Sequence, residues 1–176
     1  MKNLLSTFAL FLTLTTTAMA GTTVLNVEIG KTTRQQFVTE METKAELINK
    51  GINKYSSGEM LQTSGKAYDI EGLYSVLFIF DANNLLAGVV MNMNKNAFDR
   101  VYLAIGSKYK VVKLEKPFVG NRYAKFKTKD ATIEIVAPHL SFEMDVNYLS
   151  TELEKQFKKI SQEESNAKKR QEARQF

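Results

Sequence analysis

The chain has 176 residues, of which 44% are hydrophobic, with a net charge of +5 and no cysteine. This length and apolar content suffice for one substantial hydrophobic core, and the lack of cysteine excludes disulfides, thiol catalysis and cysteine-ligated metal sites. The net positive charge is a mild excess spread along the chain, whereas nucleic-acid binders usually have a clustered basic face with interleaved aromatic residues, which argues against nucleic-acid binding.

Residues 1–20 have the pattern of an export signal. Lys2 follows the initiator methionine, a short apolar run comes next, and the sequence AMA ends the segment as a small-residue cleavage site. The run becomes threonine-rich after about ten residues, whereas a membrane-spanning helix needs about 20 apolar residues. We predict a Sec-type signal peptide that is cleaved after Ala20, leaving a periplasmic or secreted chain without an integral membrane segment.

A short strand over residues 23–29 and a helix over residues 32–50 are the first predicted elements. The apolar residues of the helix recur at helical spacing and are Phe37, Met41, Ala45 and Ile48. The pair Thr32-Thr33 stands three residues before the pair Gln35-Gln36, which is the arrangement of a capping box. Gly51 would stop the helix.

The letters GKTT at residues 30–33 resemble the end of a phosphate-binding loop. The full motif requires a glycine at position 25, where Leu25 stands. We therefore interpret Gly30 as the turn from strand into helix and predict no phosphate site.

The middle of the chain predicts a β-hairpin. Residues 51–72 are irregular, with a short strand candidate at residues 59–63. Residues 73–81 are apolar on both faces, which predicts a central strand. A turn at Asp81–Asn84 leads into the returning strand over residues 85–93.

The second half begins with a helix predicted over residues 95–105, capped by Asn94 or Asn96. Three strands follow over residues 109–114, 122–127 and 131–136. Residues 140–148 then alternate as a fourth strand. Its inward side chains would be Leu140, Phe142, Met144 and Val146, and its outward ones Ser141, Glu143, Asp145 and Asn147.

A closing helix follows from residue 149, with an apolar stripe at Leu149, Leu153, Phe157 and Ile160. Residues 161–176 are polar, so we expect a frayed or disordered tail. The predicted fold class is α+β, with antiparallel strands, helices packed on one face and the closing helix. Residues 21–93 and 94–160 would form two halves, and their shared pattern suggests a duplicated unit of one helix and three strands.

Residues 27–91 resemble the small envelope lipoproteins of the SmpA/OmlA (BamE-like) family. The matching segments are Ile29–Thr32, Gln36-Phe37, Phe78–Asp81 and Leu86–Val90. The resemblance implies a non-catalytic envelope protein that works through protein contacts. The chain departs from the family in having Gly21 where the lipid-bearing cysteine would stand, and its second half has no counterpart there.

His139 is the only histidine and falls between two predicted strands. It could act as a general base, but no serine or cysteine nucleophile setting accompanies it. A zinc site would need several carboxylates beside this one histidine. We interpret His139 as a turn residue and predict no catalytic site, no metal site and no cofactor.

Glu143 and Asp145 stand two residues apart on one strand face, in a row that Ser141 and Asn147 extend. Carboxylates at this spacing lie about 6 to 7 Å apart, which would suit Ca²⁺ if a loop added oxygens, or the acid and base of glycoside hydrolysis. We favour a solvated sheet face, and the row is then a candidate partner-binding surface.

The segment from Ser64 to Tyr68, SGKAY, lies in a predicted surface loop. Some exported lysozyme inhibitors present a loop with Ser-Gly to their target enzyme, and this segment is similar. We favour a plain turn, while Ser64 and Tyr68 remain candidate partner-binding residues.

A row of basic residues makes the second half locally basic: Lys110, Lys113, Lys116, Arg122, Lys125, Lys127 and Lys129. They could contact anionic lipid headgroups, peptidoglycan or an acidic partner. We favour solvation and the protection of strand edges, with at most weak contact with anionic surfaces.

The sequence therefore predicts an exported, non-enzymatic periplasmic protein that binds another envelope protein through its sheet face or its C-terminal helix. The alternative is an inhibitor or immunity protein that blocks a cell-wall hydrolase or toxin.

Overall fold

The computed structural model describes residues 21–176, so the predicted signal at residues 1–20 lies outside it. The described strands are β1 (Thr23–Val24), β2 (Val27–Glu28), β3 (Ile48–Ile52), β4 (Ser57–Ser64), β5 (Leu73–Asp81), β6 (Leu86–Asn94), β7 (Lys110–Glu115), β8 (Arg122–Lys127), β9 (Ala131–Ala137) and β10 (Glu143–Ser150). The α-helices are α1 (Arg34–Met41), α2 (Phe98–Gly106) and α3 (Thr151–Ala173), and short 3₁₀ turns cover Gly65–Ala67 and Lys95–Ala97. No helix within residues 21–176 is both long enough and apolar enough to cross a membrane.

Eight strands form one antiparallel sheet in the order β3-β4-β5-β6-β10-β9-β8-β7, while β1 and β2 form a separate two-stranded ribbon. The predicted α+β class is confirmed. α1 and α2 are each followed by four strands, rather than the three of the predicted repeat unit. The two four-strand sets join where β6 pairs with β10, so both halves of the chain contribute to one continuous sheet.

Side-chain alternation divides the helices between the two faces of the sheet. On β5, the fully buried Phe78 and Phe80 face Phe37 of α1, with ring centroids 4.2 and 5.8 Å away. Ile79 lies on the other face, in a smaller apolar cluster with Leu153 of α3. The main core thus lies under α1 and α2, and the closing helix covers part of the opposite face.

α1 confirms the capping box but ends earlier than the spacing predicts. The side chain of Thr33 accepts a hydrogen bond from the backbone of Gln36, whose own side chain accepts one from Thr33. The helix ends at Met41, and Ile48, predicted on its apolar stripe, lies in β3 and is 51% exposed. The extension to residue 50 was wrong because pairing of β3 with β4 satisfies this backbone instead.

β10 begins at Glu143, three residues later than the alternation predicts. Leu140 and Phe142, predicted to point into the core, are 93% and 91% exposed. That prediction was wrong because Pro138 starts a turn, closed by a hydrogen bond from the Ser141 N–H to the Pro138 carbonyl. Successive side chains point to opposite faces of a sheet only where the backbone is extended.

The polar tail continues α3 as far as Ala173, with every side chain after Ser161 exposed. Only the first three turns of the helix therefore lie against the sheet. The rest is a helical projection formed by residues 162–173.

Gly58 provides a test of how closely β4 packs against β5. A Cβ there would collide with the carbonyl oxygens of Phe80 and Asp81, which are backbone atoms and have little freedom to move. We expect Gly58→Ala to lower the free energy of unfolding by about 2 kcal/mol or more in urea denaturation.

The matched control is Gly106→Ala at the end of α2, where a Cβ would meet only ordinary contacts, the nearest being Phe126 at 3.6 Å. This change should leave stability unchanged or raise it by up to about 1 kcal/mol. Equal losses at the two positions would contradict the strand packing described here.

Candidate functional site

A groove of about 610 Å³ lies at the end of the sheet where α3 begins. The first turns of α3 form one wall. The other wall consists of the turn between β3 and β4 and the turn between β5 and β6. The apolar part of the lining is formed by Ala82, Leu85, Leu86, Ala87, Leu153 and Ile160.

The start of α3 is fixed by a cap and by one buried leucine. The hydroxyl of Ser150 accepts a hydrogen bond from the N–H of Leu153 at 3.1 Å. The Leu153 side chain packs with Ile79 and Ala87. Gly88 permits this close approach, because a Cβ there would stand only 3.0 Å from the leucine side chain.

Glu154 ties the same turn of α3 to the sheet. Its carboxylate accepts hydrogen bonds from Thr132 at 2.7 Å, Lys125 at 3.1 Å and Lys158 at 2.6 Å. Partial burial alone would raise the pKa of Glu154, but the bonds from Lys158, Thr132 and Lys125 outweigh it and lower the pKa to about 2.

Lys125 also contacts the carboxylate of Glu134 at 2.9 Å, so one ammonium joins two carboxylates. Burial opposes its charge, but these hydrogen bonds raise the pKa of Lys125. Burial and a 2.8 Å hydrogen bond to Glu134 raise the pKa of Tyr123 to about 12. The half-buried network fixes the helix in one position on the sheet.

An aromatic pair and an ion pair attach α3 to the β3–β4 turn. The rings of Tyr55 and Phe157 meet edge to face, with centroids 4.9 Å apart. Lys54 contacts Glu164 at 2.8 Å, and the hydrogen bond between them raises the pKa of Lys54. Tyr55, which lines the groove, thus attaches the β3–β4 turn to α3.

The side chain of Asp81 holds the β5–β6 turn. The carboxylate of Asp81 accepts hydrogen bonds from the N–H groups of Asn83 at 2.8 Å and Leu85 at 2.9 Å. The hydroxyl of Ser56 donates to the Phe80 carbonyl at 2.7 Å, which joins the two turns. These bonds leave the Asn83 side chain exposed at the groove edge.

The groove combines an apolar lining with hydrogen-bonding groups on both walls. Hydroxyl and amide groups come from Ser57 and Asn83 on one side, and carboxylate and amide groups from Glu152 and Gln156 on the other. A polypeptide segment has this same combination of apolar side chains and backbone donors and acceptors.

Ser64 and Tyr68 lie away from this groove. Ser64 caps the 3₁₀ turn, its hydroxyl accepting a hydrogen bond from the Lys66 N–H at 3.3 Å. Tyr68 is half-buried, and its hydroxyl donates to the sulfur of Met41 at 3.8 Å. Burial and the nearby Glu40 raise the pKa of Tyr68 to about 12. The tyrosine therefore supports the 3₁₀ turn rather than extending from it.

Glu143 and Asp145 do meet on the sheet face. Each accepts a hydrogen bond at 3.1 Å from the side-chain amide of Asn92, on neighbouring β6. Asn147 continues the row, but Ser141 lies before the strand and accepts a bond from the Glu143 N–H. The structure thus brings together three of the four predicted residues.

His139 lies between β9 and β10 and holds two loops together. Its Nδ1 accepts a hydrogen bond from the Gly120 N–H at 3.3 Å, and its backbone N–H donates to the side-chain oxygen of Asn121 at 2.8 Å. Within residues 21–176, no group of three or more His, Asp or Glu side chains could hold a metal ion.

Sequence reasoning missed the turn residues of the groove, among them Tyr55 and Asn83. The Asp81–Asn84 turn was predicted, but only the fold places it opposite α3. Comparisons with protein-family models, curated proteins and solved structures find no match. The SmpA/OmlA resemblance of residues 27–91 therefore stays a prediction.

The Glu154 network predicts an acid-sensitive attachment of α3. Because the pKa of Glu154 falls from its ordinary 4.5 to about 2 on folding, its stabilising contribution is present above about pH 5 and disappears as the pH falls towards 2. We expect Glu154→Gln to lower stability at neutral pH and to flatten the loss between those values in urea denaturation.

Glu152→Gln is the matched control for the loss of one negative charge, because Glu152 lies on the same turn, is exposed and contacts Gln156. An unchanged pH dependence in the Glu154 variant would show that the network does not hold the helix.

Proposed function

We propose that this protein is an exported, non-catalytic protein of the bacterial envelope that binds a polypeptide segment of another envelope protein in the groove beside α3. The observation that carries this proposal is the continuity of the groove with a projecting helix. The groove wall at Gln156 and Ile160 leads directly into residues 162–173, whose side chains all face solvent.

The projection supports a partner because a helix usually gains most of its stability from packing one face. Twelve projecting residues correspond to about 18 Å of helix. Within this segment the described contacts are local or reach back to the β3–β4 turn, as Glu164 does to Lys54. A polypeptide lying in the groove could continue along the helix and pack against it.

The composition of the groove supports a protein partner over a purely apolar ligand. Phe157 is about half exposed beside the groove and offers an aromatic contact. Asn83 and Gln156 offer side-chain amides from opposite walls. Aromatic anchors surrounded by hydrogen-bonding groups are typical of protein–protein interfaces.

The carboxylate pair supports a non-catalytic role. Glu143 and Asp145 share the side-chain amide of Asn92 on the face of the sheet, as expected for a solvated strand face. Periplasmic export rests on the predicted signal at residues 1–20, and the envelope role also on the SmpA/OmlA resemblance.

The proposal is tested by a photo-crosslinking amino acid placed at Gln156 in the full-length protein in cells. We expect it to capture one repeatable envelope protein, identified by mass spectrometry, whereas the same probe at Lys155 should not. Lys155 is the matched control because it directly precedes Gln156 on the same helix, is exposed and lies outside the groove lining.

Purified partner should then bind about tenfold more weakly to Asn83→Arg, which fills the groove edge with a long charged side chain. Ending the chain after Ser161 should also weaken binding. Equal capture from Lys155, or binding unaffected by Asn83→Arg, would contradict the groove proposal. Capture of a cell-wall hydrolase that depends on Ser64 and Tyr68 instead would indicate the inhibitor alternative.

A further inference from the structure

One edge of the eight-stranded sheet is an open strand that lies beside an exposed part of a helix. β7 pairs only with β8, so the N–H and C=O groups on its other side have no neighbouring strand among residues 21–176. All six residues of β7 are exposed, whereas every strand inside the sheet has buried residues. An edge of this kind can accept a further extended strand.

α2 runs alongside this edge in the opposite direction. Asp99 at its start pairs with Lys116, just after β7, at 2.6 Å. A Cβ on Gly106 at its end would stand 3.8 Å from the side chain of Val111. Leu103 lies between these two contacts and is 68% exposed. Exposed side chains of β7 extend this apolar strip beside the unpaired backbone, and they are Val111, Val112 and Leu114.

A β-bulge determines which side chains of β7 share a face of the sheet. Val111 pairs with Phe126, and Leu114 pairs with Ala124. Both β8 partners are buried on the α2 side, and Val112 is the extra residue of the bulge. Val111 and Leu114 therefore lie on the same face although they are three residues apart. The other residues of β7 lie on the opposite face, and they are Lys110, Lys113 and Glu115.

This arrangement makes β7 complementary to itself. An antiparallel pair of two copies, related by a two-fold axis at the centre of the strand, places Lys110 opposite Glu115. In the same register Val111 lies opposite Leu114. Each pair joins side chains on one face, so opposite charges meet and apolar residues meet. A shift by one residue would set Leu114 opposite Lys110, or Val111 opposite Glu115, with the side chains on different faces.

We infer that two copies of this protein form a symmetric dimer in which their β7 strands pair and their two sheets become one. Within one copy, Lys110 lies directly opposite Lys127, and the two ammonium groups repel each other. In the dimer, the carboxylate of Glu115 from the second copy lies on the other side of Lys110 and relieves this repulsion. Glu115 binds Lys113 at 2.6 Å and is still about half exposed, so it can accept a second ammonium.

The opposite edge of the sheet lacks this complementarity. Lys50 is the only charged residue of β3, so pairing of two β3 strands brings no opposite charges together. A lysine on an edge strand normally discourages pairing with another chain, and Lys50 fits that role. On β7, by contrast, a glutamate stands at the position that pairing with a second copy requires. Charge complementarity therefore selects a second copy at this edge.

This inference goes beyond the proposed function and uses a separate surface. β7 is the outermost strand of the second half, three strands away from β10. None of the residues that line the groove belongs to β7. Pairing of the two β7 strands therefore leaves both grooves accessible, and the dimer presents two binding sites for the partner.

Sedimentation equilibrium of the chain from Gly21 onward, which contains the whole described fold, tests the dimer. Six residues from each copy form a small interface, so we expect a reversible monomer–dimer equilibrium between about 10 μM and 1 mM. Lys110→Glu sets two carboxylates opposite each other at both ends of the pairing and should weaken the dimer at least about fivefold. Glu115→Lys should have the same effect. A mixture of these two variants should dimerise like the parent protein, because opposite charges meet again in the mixed dimer.

The matched control is Lys50→Glu, which makes the same change of charge on the exposed strand at the opposite edge. It should dimerise like the parent protein. All these positions are exposed, so the variants should retain the thermal unfolding midpoint of the parent. An equal loss in the control, no recovery in the mixture, or species larger than dimers would overturn the inference. So would a parent protein that stays monomeric at about 1 mM.

A disulfide test checks the register. The chain has no cysteine, so Val111→Cys and Leu114→Cys each introduce a single thiol. In the inferred pairing, the Cα atoms of residue 111 in one copy and residue 114 in the other lie about 5 Å apart, which permits a disulfide. The two copies of residue 111 lie about 10 Å apart, which does not. Mild oxidation should therefore join the two variants only when they are mixed. Crosslinking of either variant with itself, or none in the mixture, would overturn the pairing.

Discussion

The pairing of β6 with β10 is the constraint on which the rest of this structure depends. Seven residue pairs, from Glu143 opposite Asn94 to Leu149 opposite Gly88, join the two four-strand sets into one sheet. Without them, each set would expose another unpaired strand edge, which invites aggregation. The same pairing places Met144 beside Met93, so that the apolar cores under α1 and α2 become one cluster.

The antiparallel sheet also separates the groove from the loops at its opposite end by its own length. Turns at one end meet the start of α3 and form the groove, and the connections over residues 116–121 and 138–142 lie at the other end. β10 spans the distance between them, from Glu143 beside the loops to Ser150 at the helix cap. Because the strand is paired on both sides, the groove and these loops keep a fixed distance and orientation.

Local patterns predicted the elements whose contacts are local. The Thr33 cap follows from spacing alone, and so does β5, a strand that is apolar on both faces. The apolar stripe at Leu153 and Phe157 predicted the side on which α3 docks. The patterns failed at Ile48, where strand pairing replaced the helix, and at Phe142, where a proline-initiated turn ended the alternation. The groove could not be predicted, because its two turns meet α3 only through long-range packing.

Phe126 of β8 and Phe118 of the loop before it differ completely in burial. Burial of a side chain such as Phe126 stabilises the folded state by about 1.5–3 kcal/mol. Phe118 gains nothing of this kind, because it is fully exposed in the folded chain as well. Exposed apolar surface also favours self-association. The hydrogen bonds of His139 and Lys95 nevertheless hold the loops over residues 116–121 and 138–142 in a defined arrangement, so the exposed phenylalanine extends from an ordered part of the fold.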